Sequence, residues 1–188
     1  MDETGKNILI LTGSARLNGN SRRLADAFAK GAVSAGHTIE WFEAARHRIG
    51  GCVACNTCWG SGLPCSFQDD FDDVLYPQLM RAGAIVFATP LYFCGYPAML
   101  KAAIDKLYAF GGVERRKRPL PIVESALLAC AANEDVALFE GLLHNYRATA
   151  AFMGWRDRGT VIAVGAAAPG AVEGTESLKE AEGLGRSF

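Results

Sequence analysis

Five short apolar runs alternate along the chain with segments of helical periodicity, and this order leaves few folds open. The runs fall at 7–12, 38–42, 84–88, 122–129 and 159–164. After the first, Leu24, Ala27, Phe28, Gly31 and Ala32 recur at helical spacing up to Gly36, a natural stop. Further helices are expected from an Asp69-Asp70 cap through Met80, over 96–110, over 135–153, and in a short tail from Glu176. Runs that are apolar throughout suit strands buried on both faces, and helices between them make parallel crossovers. The expected fold is therefore α/β, a three-layer, doubly wound, five-stranded parallel sheet. At 188 residues and 50% hydrophobic composition the chain reads as one domain, 1–188, interrupted by a Cys-rich insertion at about 47–68.

The first strand runs directly into Gly13-Ser14-Ala15-Arg16-Leu17-Asn18-Gly19-Asn20-Ser21, and a helix follows at once. A loop of small, hydroxyl and amide residues at a helix start makes an anion cradle, because first-turn N–H groups lack intrahelical partners. The triphosphatase loop G-x-x-x-x-G-K-[ST] is excluded, since five residues separate Gly13 from Gly19 and Asn20 stands in the lysine position. The dinucleotide pattern G-x-G-x-x-G fails at Ser14-Ala15. A terminal phosphomonoester remains, held by Ser14, Ser21, Asn20 and backbone N–H groups with Arg16 as charge partner; the alternative is a capped loop that binds nothing.

In a doubly wound sheet the loops at the carboxyl ends of the strands meet. The loop Thr89-Pro90-Leu91-Tyr92-Phe93-Cys94-Gly95-Tyr96-Pro97 combines stiff backbone with flat apolar side chains, so it could wall a slot for a planar ring or pack on the next helix. In Cys130-Ala131-Ala132-Asn133-Glu134-Asp135, the Asn133 amide could meet a polar ring edge, or Asn133 or Asp135 could cap a helix.

Nineteen basic and twenty acidic residues leave a formal charge of -1, so no electrostatic footprint for nucleic acid is expected. The run Arg115-Arg116-Lys117-Arg118 reads as a solvated loop or a cofactor-phosphate contact. No apolar stretch has membrane-spanning length, and Asp2 and Glu3 precede any apolar run, so no membrane partner and a cytoplasmic location are expected. His37, His47 and His144 lack metal-ligand spacing, and Trp155-Arg156-Asp157-Arg158 reads as an edge before the last strand.

Together, Gly13-Ser14-Ala15-Arg16 with Gly19-Asn20-Ser21, Thr89-Pro90-Leu91-Tyr92 with Pro97, and Leu100-Lys101-Ala102-Ala103-Ile104-Asp105-Lys106 resemble the flavodoxin-like NAD(P)H-dependent FMN reductase family over about 7–135. Lys106 departs from the arginine usual in that helical motif. The resemblance implies bound FMN, with Ser14, Arg16, Asn20 and Ser21 on its phosphate and Pro90, Leu91, Tyr92 and Phe93 lining its ring. It implies NADH or NADPH as donor, a small-molecule redox acceptor (a quinone, nitro or azo compound, or free flavin), and a homodimer or homotetramer. No side chain need act as acid or base, so no catalytic residue is assigned.

Cys52, Cys55 and Cys58 stand at two-residue gaps, and Cys65 follows after a glycine-rich arm that includes Gly60 and Gly62. Three thiolates so spaced can wrap one face of a cuboidal cluster, and a fourth can close it. This resembles the motif of iron-sulfur flavoproteins, which implies a [4Fe-4S] centre beside FMN and a carrier of electrons between protein partners. Zinc, free thiols or a disulfide would use the same residues. Trp59 reads as packing or as a shield for that site, while Cys94 and Cys130 read as small apolar residues at strand ends. A reading of another class is a non-catalytic module that binds or senses through a thiol or zinc switch.

Overall fold

A computed structural model describes residues 5–61, 63–111 and 119–188. Asp2, Glu3, Gly62 and the basic run Arg115-Arg116-Lys117-Arg118 lie outside the described residues. Five strands, β1 (Asn7–Thr12), β2 (Thr38–Glu43), β3 (Ala84–Pro90), β4 (Glu124–Cys130) and β5 (Arg156–Ala163), form one parallel sheet in the order β2-β1-β3-β4-β5. The chain therefore reverses its direction of winding between β1 and β3, the place where doubly wound sheets hold ligands.

Successive side chains of a strand face opposite ways, so the apolar run of β1 serves two cores. Leu9 and Leu11 join Phe42, Phe87 and Leu127 on one face, and Ile8 and Ile10 join Val86 and Leu128 on the other. The second face is covered by α1 (Asn20–Ser34) and, at the end of the chain, α6 (Glu176–Arg186). The first is covered by α4 (Ala98–Lys106) and α5 (Glu140–Met153) together with the helical stretch before β3. The only helical turn within the described part of the Cys-rich insertion is α2 (Cys58–Ser61).

Three local expectations need correction. The helix after Asp69 starts as a π turn, Phe71–Leu75, and becomes α3 only over Tyr76–Leu79. Pro77 has no N–H to give to an α ladder, and the wider turn accommodates that loss. Asp69 does cap, since its carboxylate accepts the Phe71 N–H, but the Asp70 carboxylate accepts the Arg48 N–H instead. The expected helix over 96–110 begins at Ala98 and tightens into a 3-10 turn at Leu107–Phe110.

The third correction concerns β5, which starts at Arg156 rather than Gly159. Its charges are tolerated because Glu124, 3% exposed at the start of β4, pairs with Lys6 (2.6 Å), Arg158 (2.7 Å) and Arg156. Burial alone would raise the Glu124 carboxyl, yet these three cations hold it down at about 2, from an ordinary 4.5. A carboxylate with a lowered folded pKa adds stability that is complete above 4.5 and fades as pH falls toward 2. Glu124→Gln is therefore expected to cost roughly 2 kcal/mol at neutral pH, between the values for surface and buried pairs. It should also flatten the acid limb of a stability-against-pH curve measured by urea denaturation; a wild-type acid limb in the variant would remove Glu124 as its cause.

Candidate functional site

Four loops gather at the carboxyl ends of the strands. The first is fixed at its start by the Gly13 N–H, which donates to Ala88 O (2.9 Å), and Gly13 must be small because a Cβ would stand 2.9 Å from Thr89 Oγ1. At its end Gly19 is the N-cap residue of α1 and offers no side-chain cap. Arg23 is the first residue of α1 to donate back, to Gly19 O (3.1 Å). Among the described residues the N–H groups of Asn20 and Arg22 meet no backbone acceptor. An uncapped helix of fifteen residues with no acidic residue in its first turn is a site for an anion.

The side chains assigned to this anion divide into two pairs. Ser14 is half-buried, with its hydroxyl oxygen accepting the Arg16 N–H (3.1 Å). Arg16 is exposed and has no ion pair among the described residues, whereas Arg22 is paired with Asp26 and Glu43, and Arg23 with Glu173. Asn20 and Ser21 are buried. The Asn20 amide donates to Ala166 O (2.9 Å) and Ala168 O (2.8 Å), and its oxygen accepts the Gly170 N–H (2.9 Å). Any contact of Asn20 with an anion thus falls to its main-chain N–H. Burial pushes the Cys130 thiol up to about 11, against the pull of the Ser21 N–H and hydroxyl, which both reach its sulfur.

These bonds bring in a fourth loop, residues 164–175, which sequence reasoning missed. Besides Asn20 it is tied to the third loop, where Asn133 O accepts the Gly165 N–H (3.0 Å) and Ala131 O accepts the Ala166 N–H (2.8 Å). The only sequence signal was the run of small residues Gly165-Ala166-Ala167-Ala168-Pro169-Gly170. Asn133 is exposed, its side-chain oxygen accepts the Asp135 N–H (2.8 Å), and Asp135 rather than Asn133 caps the 3-10 turn Val136–Phe139.

The second loop folds into a two-residue hairpin. Tyr92 and Gly95 exchange both backbone hydrogen bonds at 3.0 Å, and the central pair, Phe93 (φ 45°) and Cys94 (φ 59°), are both left-handed. Such turns favour Asn and Gly, so a phenylalanine there is held at a cost of about 1 kcal/mol or more. The turn presents Phe93 fully to solvent, beside a half-exposed Tyr92. Cys94 is exposed on it and not a buried strand-end residue; Cys130 is buried at the end of β4. Pro90 ends β3, and the Leu91 N–H donates to Cys130 O (2.8 Å), which locks the loop to β4.

Cys52, Cys55, Cys58 and Cys65 line one narrow pocket with a cavity volume of about 20 Å³. Lys106, Phe67 and Tyr108 complete its walls. The Ala54 N–H donates to Cys52 Sγ and the Phe67 N–H to Cys65 Sγ, both at 3.5 Å, and the Ser66 hydroxyl lies 3.4 Å from Cys55 Sγ. Two non-glycine residues between the first cysteines, Ala54 (φ 54°) and Asn56 (φ 60°), take left-handed conformations in this loop. Ser66 and Thr57 pull the Cys55 thiol down to about 7. Burial raises that of Cys58, reinforced by the other three sulfurs. Three carboxylates clamp the segment: Asp69 accepts the Gly50 N–H (2.8 Å), Asp70 the Arg48 N–H (2.7 Å) and Asp72 the Cys65 N–H (2.9 Å). Trp59 packs on Tyr108, with ring centroids 4.6 Å apart. Among the described residues no three His, Cys, Asp or Glu side chains converge tightly enough to hold a single metal ion.

His37 Nδ1 accepts the Lys6 N–H (3.1 Å) and His47 stacks on Phe42, both structural roles.

The chain is similar to known proteins in sequence and in fold. In sequence the chain is 30% identical over 101 residues to an iron-sulfur flavoprotein of Archaeoglobus fulgidus, covering 54% of this chain and 45% of that protein. It is 29% identical over 96 residues to an iron-sulfur flavoprotein of Methanosarcina thermophila, covering 51% and 49%. The chain thus spans about half the length of the curated relatives it matches. Its fold is similar to that of an NAD(P)H:quinone oxidoreductase from Methanothermobacter marburgensis, with TM-score 0.73, 23% identity, and 98% and 97% of the two chains covered. An azoreductase from Bacillus anthracis gives TM-score 0.72 at 21% identity, with 97% and 100% covered. The model of the NADPH-dependent FMN reductase family matches residues 6–149, and the chain belongs to that family.

Proposed function

We propose that the chain is an FMN-dependent NAD(P)H oxidoreductase that passes electrons from nicotinamide through flavin to a quinone, a nitro or azo compound, free flavin or another small acceptor. The observation that supports this reading is the start of α1 at the sheet's switch point, where first-turn N–H groups meet no backbone acceptor and the loop before it carries the Ser14 hydroxyl and an exposed Arg16 with no ion pair among the described residues. Those groups fit a phosphomonoester. Pro90, Leu91, Tyr92 and Phe93 would line the ring, and Asn133 would stand at its polar edge. When bound, FMN supplies hydride acceptance from nicotinamide and delivery of one or two electrons onward. The chain's part is to orient the ring and to leave one face open. Apolar side chains exposed at this end, among them Phe93 and Val136, suit coverage by a second copy in a homodimer or homotetramer. Six free cysteines suit a reducing, cytoplasmic compartment, and no helix among the described residues is long and apolar enough to cross a membrane.

A second reading, an iron-sulfur flavoprotein with a [4Fe-4S] centre on Cys52, Cys55, Cys58 and Cys65, is favoured by the shared pocket and by the N–H donors already turned to two of its sulfurs. A zinc site would bring four sulfurs to roughly 3.8 Å from one another, as follows from tetrahedral Zn–S bonds. A cuboidal cluster interposes its irons and would hold the sulfurs further apart than that.

The test is a visible spectrum of protein purified without oxygen, before and after NADPH or NADH, with iron and sulfide assayed on the same sample. Flavin bands that bleach with nicotinamide are expected, with about four iron and four sulfide per chain on the second reading. A protein that takes up no FMN would overturn the first reading, and flavin without iron would overturn the second.

A further inference from the structure

We infer that Lys106 is the fixed positive charge that sets the reduction potential of the centre held by Cys52, Cys55, Cys58 and Cys65, an inference that rests on the iron-sulfur reading above. Lys106 closes α4, and its side chain is only 3% exposed, a rare condition for a lysine. Its ammonium donates to Asp69 Oδ2 (2.7 Å) and toward Phe67 O (3.4 Å), and it lies 5.4 Å from the centre of the Phe71 ring.

Asp69 is the ion-pair partner of this lysine, and its carboxylate also accepts two backbone N–H groups, from Phe71 (2.9 Å) and Gly50 (2.8 Å), so its charge is shared among three donors. Beyond Asp69, Lys106 attracts the Asp72 carboxylate and faces the pocket of the four cysteines, which it lines and neither carboxylate does. Four thiolates around a [4Fe-4S] core leave a net charge of about −2, and uptake of one electron makes it about −3. A cation buried at the wall of that pocket stabilises the more negative state more strongly, because the low dielectric there leaves the attraction poorly screened. Lys106 therefore raises the potential at which the centre accepts an electron from reduced flavin. An ammonium does this as a compact point charge while keeping its hydrogen bond to Asp69.

The experiment is a mediated spectroelectrochemical titration of the anaerobically purified holoprotein as wild type, Lys106→Met and Lys106→Arg, with iron and sulfide counted per chain. In the methionine variant the midpoint of the iron-sulfur couple should move to more negative potential at unchanged iron content, and in the arginine variant it should stay near wild type. An unmoved midpoint in a fully loaded methionine variant would overturn the inference. If the methionine variant loses its iron and the arginine variant keeps it, Lys106 retains the centre rather than setting its potential, and the inference as stated fails. If both lose it, side-chain shape rather than charge is at work, and the inference fails. A wild-type protein that carries no iron and sulfide would instead remove the reading underneath, an outcome distinct from all of these.

Discussion

Replacing Asn20 by alanine is expected to strip FMN from the protein and to lower its stability by about 2–4 kcal/mol. The side chain is 8% exposed and uses both amide protons and its oxygen on Ala166 O, Ala168 O and the Gly170 N–H. Alanine leaves three backbone groups of the 164–175 loop without those partners at a site poorly open to water. Apart from the Arg23–Glu173 ion pair, the loop then has no side-chain bond to the start of α1 among the described residues, and the proposed cradle loses the wall that holds its shape. Asn20→Asp keeps only an acceptor for Gly170 and sets a negative charge beside the phosphate position, so its FMN loss should be at least as large. FMN retained per chain after gel filtration and the urea midpoint measure the two effects. Wild-type values for both in the alanine variant would show that Asn20 sets neither.

Gly185→Ala should lower stability by roughly 3 kcal/mol, at the upper end for overpacking. For a chain of this size that is a fall of roughly 6–12 °C in the thermal midpoint. A Cβ at Gly185 would sit 2.0 Å from Phe28 O, and one at Gly31 would sit 1.9 Å from Glu182 O. Helices α1 and α6 therefore touch backbone to backbone at two points, and either methyl group forces them apart. Gly183, two residues away in the same helix, has nothing within 4 Å of its Cβ position. Gly183→Ala is the matched control and should gain up to about 1 kcal/mol from helix propensity alone. Calorimetry on the two variants separates packing from propensity, and equal shifts would discount the close approach.

These glycines also show what could be read from the sequence and what could not. Within α6, Gly185 argues against a helix, because propensity concerns one element at a time while its reason lies on α1, some 150 residues earlier. The central strands β1, β3 and β4 were legible because burial on both faces makes them largely apolar, whereas the order β2-β1-β3-β4-β5 came only with the structure. β5 was cut short at its start because its charges answer a buried glutamate on β4, a pairing that no local pattern carries. In the site, the first loop was visible as a small-residue loop that opens α1 without a side-chain cap, because its signal is local. That Asn20 spends its amide on the 164–175 loop was hidden by sequence distance. The Phe93-Cys94 turn was hidden by composition, since neither residue favours a left-handed backbone. The cysteine spacing pointed to one site and the four cysteines do share a pocket, but the buried Lys106 in its wall looked only like a departure from the helical motif that Leu100 begins.

The staple at Asn20 also sets an order of events for a growing chain. Its partners lie 146, 148 and 150 residues further on, so the phosphate cradle, although encoded in the first loop, is completed only after β5 has docked at the far edge of the sheet. Contacts of such sequence separation close late and slowly. On the proposed function, affinity for FMN would be withheld from partly made chains and would arrive with the last strand, so that cofactor capture marks finished folding rather than seeding it.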